Sequence, residues 1–241
     1  MDQQPCRISY LIPGVGLTNH EVQRRQRILQ RYGSQDTIIQ VSTVETGPQS
    51  IESFYDEAFS GPPLLQKLQK LEREHYDAVI LGGYFDPYLD AARELASIPI
   101  IGPGATSLLF AAALCRRFSI VTMLQTAIPI IHQRIKMLGF ETKLASIRSI
   151  QIPVATVNQD KTGAEHALLQ EYRYARDEDE AEAVIPGNMS LAFLQRHLEH
   201  SIKLGIPVLD PVSLSVKMAK LLVDLELTHS KRAYPTPRHD Y

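Results

Sequence analysis

The sequence predicts an α/β fold made of two similar lobes, each a mainly parallel sheet flanked by helices. Short apolar runs bounded by turn residues alternate with longer segments of helical period, which is typical of parallel strands joined by crossover helices. The same order of fragments also occurs twice along the chain. Such a repeat indicates two related halves rather than one continuous sheet.

The predicted strands are short and apolar, as expected of parallel strands covered on both faces, and the segments between them have helical period. Asp86, which precedes a proline, is predicted first to be a helix N-cap that satisfies free backbone amides, and only second to be a base. Strands are predicted at residues 6–12, 37–42, 77–82, 99–101, 118–123, 145–150, 182–185 and 207–209, and helices at residues 21–32, 63–75, 87–96, 106–116, 128–138, 163–176, 191–204 and 212–225.

Three pairs of fragments carry the internal repeat. RISYLI at residues 7–12 is similar to RFSIVT at 117–122, DAVI at 77–80 to EAVI at 182–185, and IPIIGP at 98–103 to IPVLDP at 206–211. The alternative is that all buried parallel strands look alike, because short apolar fragments carry little information. The repeat predicts a first lobe of residues 1–98 and 211–241 and a second lobe of residues 99–210.

Composition excludes several classes of function. The 241 residues carry a formal net charge of -2, so the chain has no broad positive field for nucleic acid or an anionic membrane. Its two cysteines are too few for a disulfide framework, and no set of residues has metal-ligand spacing. No apolar run is long enough for a signal peptide or a membrane span, and we therefore expect a cytoplasmic protein.

If the halves are related by a pseudo-twofold axis, the carboxyl ends of equivalent strands face each other across a crevice, the expected place for a ligand. Glycines near those ends allow a close backbone approach to a ligand. The predicted binding residues are Pro13, Gly14, Gly83, Tyr84, Phe85, Thr122, Pro186, Gly187, Asn188 and Met189.

Residues 85–94, FDPYLDAARE, resemble the Gly-Asp-Pro-Gly-Leu-Asp-Ala-x-Arg-Glu segment of hydantoin racemases. IPIIG at 98–102, RRFSIVT at 116–122, ASIR at 145–148, IPVLD at 206–210 and the tail THSKRAY at 228–234 are similar to the same family, in the same order. The resemblance spans nearly the whole chain and is to the aspartate/glutamate/hydantoin racemase superfamily.

The resemblance implies a cofactor-free active site between two lobes, without a metal, for small α-carboxylates or cyclic ureides. It also implies one cysteine at the end of a strand in each lobe, each moving a proton on one face of the substrate. Alignment on Asp86 places the first of these at Gly83, and alignment on Met189 places the second at Pro186. Thr122 matches a substrate-binding threonine of the family. Symmetric assemblies in the family lead us to expect a homo-oligomer.

Neither Gly83 nor Pro186 can transfer a proton, so two-base racemisation by thiols is not expected. Cys6 and Cys115 are interpreted as packing residues. Tyr84 is the candidate catalytic group, as a proton donor or a hydrogen-bond donor, and Asn188 can hold a carboxylate or ureide. Two functions stay open: a cofactor-independent isomerase or lyase, or a non-catalytic protein that binds a small metabolite or regulates a true racemase.

Overall fold

The computed structural model describes residues 5–157, 159–194 and 197–238. Every strand pairing in the two sheets is parallel, and helices connect the strands. The predicted α/β class, with two mainly parallel sheets flanked by helices, is therefore confirmed. The strands are β1 Cys6–Ile12, β2 Thr37–Thr43, β3 Ala78–Leu81, β4 Ile100–Ile101, β5 Phe118–Thr122, β6 Leu144–Ser149 and β7 Ala183–Pro186.

Ten α-helices are assigned among the described residues, together with two short 3₁₀ turns. Thr18 is the N-cap of the first helix, because its hydroxyl accepts the Glu21 backbone N–H at 3.3 Å. The helices are α1 Asn19–Tyr32, α2 Phe54–Arg73, α3 Leu89–Leu95, α4 Pro103–Leu114, α5 Ile128–Met137, α6 Val154–Val157, α7 Lys161–Asp177, α8 Met189–Leu194, α9 His197–Leu204 and α10 Pro211–Asp224.

The chain forms two compact units. The first unit comprises Met1–Ile51, Tyr55–Pro103 and Ser215–Tyr241, and the second comprises Glu52–Phe54 and Gly104–Leu214. The strand order of the first sheet is β2-β1-β3-β4, and that of the second is β6-β5-β7. No helix in the described part of the chain is both long and apolar enough to cross a membrane.

Each unit has its own apolar core. In the first, Ile8, Leu29 and Ile80 are fully buried. In the second, Val184 of β7 packs with Leu168 and Tyr172 of α7. These side chains recur every third or fourth residue on helices, or lie on strands covered by helices, which is why the sequence pattern identified them.

The internal repeat is also present in the hydrogen bonds. The Asp77 N–H donates to the Arg7 carbonyl at 2.8 Å, and the Glu182 N–H donates to the Arg117 carbonyl at 2.9 Å. In the same way, Val79 donates to Pro99 and Val184 donates to Pro207, both at 3.0 Å. The register of β1 against β3, with Ile8 opposite Ala78, is repeated by β5 against β7, with Phe118 opposite Ala183. The two halves thus share the order of their first three strands and the register of β1 with β3.

Three predicted elements differ from the structure by more than a few residues at their ends. Residues 207–209 do not form a strand, because Val208 makes only an isolated parallel bridge to Val184. The predicted helix 191–204 is assigned as α8 and α9, and residues 195 and 196 lie outside the described residues. Helix α2 begins at Phe54 rather than at residue 63, and therefore contains Pro62 and Pro63 in its interior.

Candidate functional site

The segment that follows β3 begins with two glycines in different environments. The Gly82 N–H donates to the Leu11 carbonyl at 2.6 Å, and a Cβ on Gly82 would lie 2.8 Å from that carbonyl oxygen. Gly82 is therefore required for close packing of β3 against β1. A Cβ on Gly83 would lie 3.0 Å from Pro87 Cδ and 3.4 Å from Pro13 Cγ, so that a small side chain there needs only slight adjustment.

Pro13 and Gly14, which follow β1, lie in the same part of the first unit. The Val15 N–H donates to the Pro48 carbonyl at 2.9 Å, and a Cβ on Gly14 would lie 2.7 Å from that oxygen. The backbone after β1 thus packs directly on the segment after β2. Because Pro13 also contacts the Cβ position of Gly83, these predicted binding residues come together at the carboxyl end of the sheet.

Tyr84 is buried, with 7% of its surface exposed. Its hydroxyl has no hydrogen-bond partner among the described residues. Burial raises the pKa of Tyr84 above its ordinary value, and the negative charge of Asp86 raises that pKa further. A protonated, unpartnered hydroxyl is able to donate a hydrogen bond to a ligand. Phe85, the next predicted binding residue, is also buried.

Asp86 does not cap the helix that follows it, so that prediction was wrong. The N-cap of α3 is Tyr88, which makes no side-chain capping bond. The Asp86 carboxylate instead lies against Gly102, where a Cβ would be 2.6 Å from Asp86 Cγ. The left-handed backbone of Asp86, with φ of 52°, turns the side chain away from α3 and towards the segment after β4.

In the second unit, the end of β5 is joined to the end of β7. Thr122 is fully buried, and its hydroxyl donates to the Gly187 carbonyl at 3.3 Å. The Gly187 N–H donates to the Val121 carbonyl at 2.7 Å. A Cβ on Gly187 would clash with Ile120 Cγ2, and Gly187 is therefore required for this close approach. A substrate contact by Thr122 stays a prediction.

Asn188 and Met189 follow Gly187. The Asn188 side-chain oxygen accepts the Ser190 N–H at 2.7 Å, which fixes the carboxamide at the start of α8. The NH₂ group of the same carboxamide is a hydrogen-bond donor. Met189 is buried and so is Pro186, whose backbone belongs to β7. The predicted residues of the second unit thus lie at one end of its sheet.

The repeated hydrogen bonds fix which residues of the two halves correspond. Gly82 donates to Leu11 as Gly187 donates to Val121, and so the residues after them, Gly83 and Asn188, occupy equivalent positions. Pro186 corresponds to Leu81, because their strand partners Val121 and Leu11 are equivalent. The signal was present in the sequence, since Gly83 and Asn188 each lie six residues after the acidic residue that opens the repeated fragment.

The two cysteines lie at the opposite end of each sheet. Cys6 is the first residue of β1, and its pKa is raised to about 11 by burial and by the charge of Asp77. Cys115 follows α4, three residues before β5 begins, and its thiol donates to the Ala111 carbonyl at 3.2 Å. Burial, with the charge of Glu182, raises the pKa of Cys115 too. Both thiols are therefore protonated at neutral pH.

The segments that follow the strands carry no lysine or arginine. Residues 13–18, 44–53, 82–88, 102, 123–127, 150–153, 187–188 and 210 contain neither lysine nor arginine, but they include Glu45, Glu52, Asp86 and Asp210. In addition, no group of three or more His, Cys, Asp or Glu residues that could hold a metal ion occurs in the described part of the chain.

The chain was compared with protein families and with curated sequences. The sequence pattern of the Asp/Glu/Hydantoin racemase family matches residues 18–219. A hydantoin racemase of Rhizobium meliloti is 36% identical over 203 residues, which cover 84% of this chain and 83% of that protein. Both comparisons extend over most of the two units.

Solved structures give the same result for the fold. An allantoin racemase from Klebsiella pneumoniae superposes with a TM-score of 0.90 at 29% identity, covering 97% of this chain and 94% of the other. An allantoin racemase from Pseudomonas fluorescens also gives a TM-score of 0.90, at 26% identity and with 98% of each chain covered. This chain therefore shares the fold of these two proteins.

Proposed function

Because this chain belongs to the Asp/Glu/hydantoin racemase family, we propose that it is a cofactor-independent isomerase or lyase that acts on an uncharged cyclic ureide and does not use the family's two thiols. The related hydantoin and allantoin racemases support the choice of ureide.

The observation that carries the proposal is the equivalence of Gly83 and Asn188. In the family one cysteine ends a strand of each lobe, and we place the second of these positions at Asn188 rather than at Pro186. Both residues lie directly after a glycine that bonds back to the central strand, as Gly82 does to Leu11. Neither glycine nor asparagine carries a proton-transfer group, and the two cysteines of the chain lie at the other end of each sheet.

The charge at the strand ends supports an uncharged substrate. A carboxylate is usually held by Arg or Lys, or by several backbone N–H groups, and the segments after the strands contain neither cation. They contain several carboxylates, among them the buried Asp86, which disfavour an anionic guest. A hydantoin-like ring has carbonyl oxygens and N–H groups, and the Tyr84 hydroxyl and the Asn188 carboxamide can bond to such groups without any charge.

The two halves would contribute differently to the reaction. Tyr84 lies beside Gly83 and stays protonated, so it can donate to a ring carbonyl oxygen or to a leaving nitrogen. Asn188 offers a neutral N–H donor that can stabilise charge developing on a carbonyl oxygen. Racemisation requires an acid and a base on opposite faces of one carbon. Without such a pair, two reactions remain. In exchange with retention, solvent takes the α-proton and returns a deuteron to the same face, while Tyr84 and Asn188 bond to the enolate oxygen. In ring opening, water adds to a ring carbonyl carbon, the C–N bond breaks, and the leaving nitrogen takes the proton that the water loses.

Incubation in deuterated water tests the proposal. Single enantiomers of a 5-substituted hydantoin and of allantoin, with aspartate and glutamate as anionic comparisons, are followed by proton NMR and by chiral chromatography. We expect ring-opened product, or deuterium at the α-carbon with the configuration retained, from a ureide only. Turnover of the amino acids without turnover of a ureide would contradict the uncharged substrate, and racemisation would contradict proton transfer on one face.

One feature favours a second candidate, a non-catalytic ureide-binding protein. Tyr84 is the one ionisable residue adjacent in sequence to either of the paired positions, and its raised pKa makes it a weak acid. Calorimetric titration with the same ureides separates the candidates. Saturable binding without deuteration or ring opening supports the binding protein, and turnover that is lost in Tyr84→Phe but kept in Tyr55→Phe, a change at an exposed tyrosine, supports the enzyme.

A further inference from the structure

The segment between β3 and α3 contains two residues with left-handed backbone, Asp86 at φ of 52° and Tyr88 at φ of 55°. This conformation costs a non-glycine residue roughly 1 kcal/mol or more, and it persists only where surrounding contacts impose it. Each of the two side chains packs against a glycine from another part of the chain.

The ring of Tyr88 lies on Gly61 of α2. A Cβ on Gly61 would be 2.5 Å from Tyr88 Cζ, so only glycine leaves room for the ring. The Tyr88 hydroxyl donates to the Ala58 carbonyl at 3.4 Å. That carbonyl needs a donor, because the residue four positions later is Pro62, which has no N–H. The prolines inside α2 thus create the acceptor to which Tyr88 bonds.

The carboxylate of Asp86 lies on Gly102 in the same manner. Three of its atoms would be within 2.8 Å of a Cβ there. In the second unit the equivalent of Gly102 is Asp210, whose own carboxylate accepts the N–H groups of Val212 and Ser213 at 2.9 and 3.0 Å. The first unit therefore has a glycine where the second has a carboxylate, and Asp86 occupies the space that this glycine leaves.

We propose that Asp86 and Tyr88 are positioning residues that clamp residues 83–88 through Gly102 and Gly61, and so hold Tyr84 in its buried place next to Gly83. The clamp gives the Tyr84 hydroxyl the fixed, dry position that a hydrogen-bond donor to a ureide requires. The purpose of the clamp rests on the proposed function, whereas the contacts that form the clamp do not. The clamp is a property of the protein without substrate.

Hydrogen exchange of backbone amides tests the clamp directly. The Asp86 N–H donates to the Gly83 carbonyl at 3.1 Å and the Leu89 N–H donates to the Asp86 carbonyl at 3.2 Å, so both amides report on the closed segment. The Val79 N–H, bonded to Pro99, reports on the sheet. In Tyr88→Gly and Gly61→Ala we expect the Asp86 and Leu89 amides to exchange at least about tenfold faster, measured relative to the Val79 amide. A tenfold change corresponds to about 1.4 kcal/mol in the free energy of local opening.

The variants have matched controls. Tyr88→Phe keeps the ring on Gly61 and should give a smaller acceleration than Tyr88→Gly, and Asp86→Asn should do the same relative to Asp86→Ala. Gly33→Ala adds a Cβ with ordinary contacts of 3.4 Å at a negative φ, and it should leave the exchange unchanged. Equal protection of the Asp86 and Leu89 amides in wild type, Tyr88→Gly and Gly61→Ala would overturn the clamp.

A second readout concerns Tyr84 itself. Wild type and variants carrying ¹³C-labelled tyrosine are titrated with base, and the Tyr84 signal is assigned from Tyr84→Phe. We expect Tyr84 to ionise at lower pH in Tyr88→Gly than in wild type, because a loosened segment admits water. An unchanged titration together with faster exchange would show that the clamp does not position Tyr84. Failure of wild type to bind or convert any ureide would overturn the proposed function alone, since neither readout uses a substrate.

Discussion

Asn188 occupies in the second half of the chain the position that Gly83 occupies in the first. Each follows a glycine whose N–H bonds to the central strand, Gly82 to Leu11 and Gly187 to Val121. The correspondence differs by two residues from the one that the sequence alignment gave, in which Pro186 matched the second family cysteine. It can be tested by introducing cysteines at the candidate positions.

We predict that Gly83→Cys combined with Asn188→Cys gains racemisation of a 5-substituted hydantoin, measured by loss of optical rotation. Gly83→Cys combined with Pro186→Cys should stay inactive, because residue 186 lies within the strand and corresponds to Leu81. A Cβ at residue 83 meets Pro87 at 3.0 Å, so the first change needs only a small shift of that ring. Greater activity in the pair with Pro186→Cys than in the pair with Asn188→Cys would refute the assignment.

Cys6→Ala and Cys115→Ala should each leave ureide turnover or affinity within about twofold of wild type. Both thiols lie at the amino ends of strands, and burial keeps both protonated. Treatment with N-ethylmaleimide at pH 7 provides an independent check, since modification should be slow and without functional effect. A tenfold loss in either variant, with unfolding midpoints unchanged, would mean that a thiol takes part in the reaction.

Tyr84→Phe should stabilise the protein while it impairs function. A buried hydroxyl without a partner costs about 1–3 kcal/mol, and its removal should raise the free energy of unfolding by about 1 kcal/mol. Tyr76→Phe is the matched control, because the buried Tyr76 hydroxyl donates to Gln40 Oε1 at 2.5 Å and its removal should destabilise. Urea denaturation measures both variants. A less stable Tyr84→Phe protein would contradict the description of that hydroxyl as unpartnered.

Stability should decline as the pH falls from about 6.5 towards 4, in part through His229. Its Nε2 accepts the Ile100 N–H at 2.8 Å, which requires the neutral ring. Burial first, and then the charges of Arg93 and Lys231, lower the pKa of His229 to about 4. Because the unfolded value is about 6.5, the stabilisation is complete above pH 6.5 and is lost as the pH falls to about 4.

The loss due to His229 should amount to about 1–2 kcal/mol, since the side chain is partly exposed and solvent screens part of the effect. His229→Gln retains an acceptor without a titrating group and should flatten the dependence of the free energy of unfolding on pH by that amount, in urea denaturation at pH 7 and pH 4. The same change at the exposed His20 serves as control. If the free energy of unfolding changed equally with pH in wild type and in His229→Gln, the pKa assigned to His229 would be contradicted.

Most of the architecture could be predicted because buried strands and amphipathic helices leave a local signal. The predicted strand 6–12 agrees with β1, and the other six strands of the two sheets each differ from prediction by two residues or fewer in total. The start of α2 was missed because two adjacent prolines normally mark a helix start, whereas here the Tyr88 hydroxyl bonds to a carbonyl left without its helical donor. That partner lies 30 residues away and leaves no local pattern.

The candidate site was harder to predict for a similar reason. The residue types at Gly83, Tyr84 and Asn188 were identified from strand ends, but the match between Gly83 and Asn188 depends on a register that only the hydrogen bonds fix. Capping by Asp86 was predicted from its place before Pro87, and the left-handed backbone of Asp86 made that prediction wrong. The missing partner of the Tyr84 hydroxyl is a tertiary property that local sequence does not contain.

The short strand β4 lies at the edge of its sheet. The backbone N–H of Ile100 in this strand donates to His229, and without His229 that N–H would lack this acceptor. Lys231 bonds to the carbonyls of Arg93, Glu94 and Ala96, and Tyr234 accepts a bond from Arg93, so the tail is fastened at several points beside that edge. Exposed edges recruit strands from other molecules. We therefore expect the residues after α10 to protect this edge from pairing with other molecules, and a chain shortened before Thr228 to assemble more readily into intermolecular β-structure.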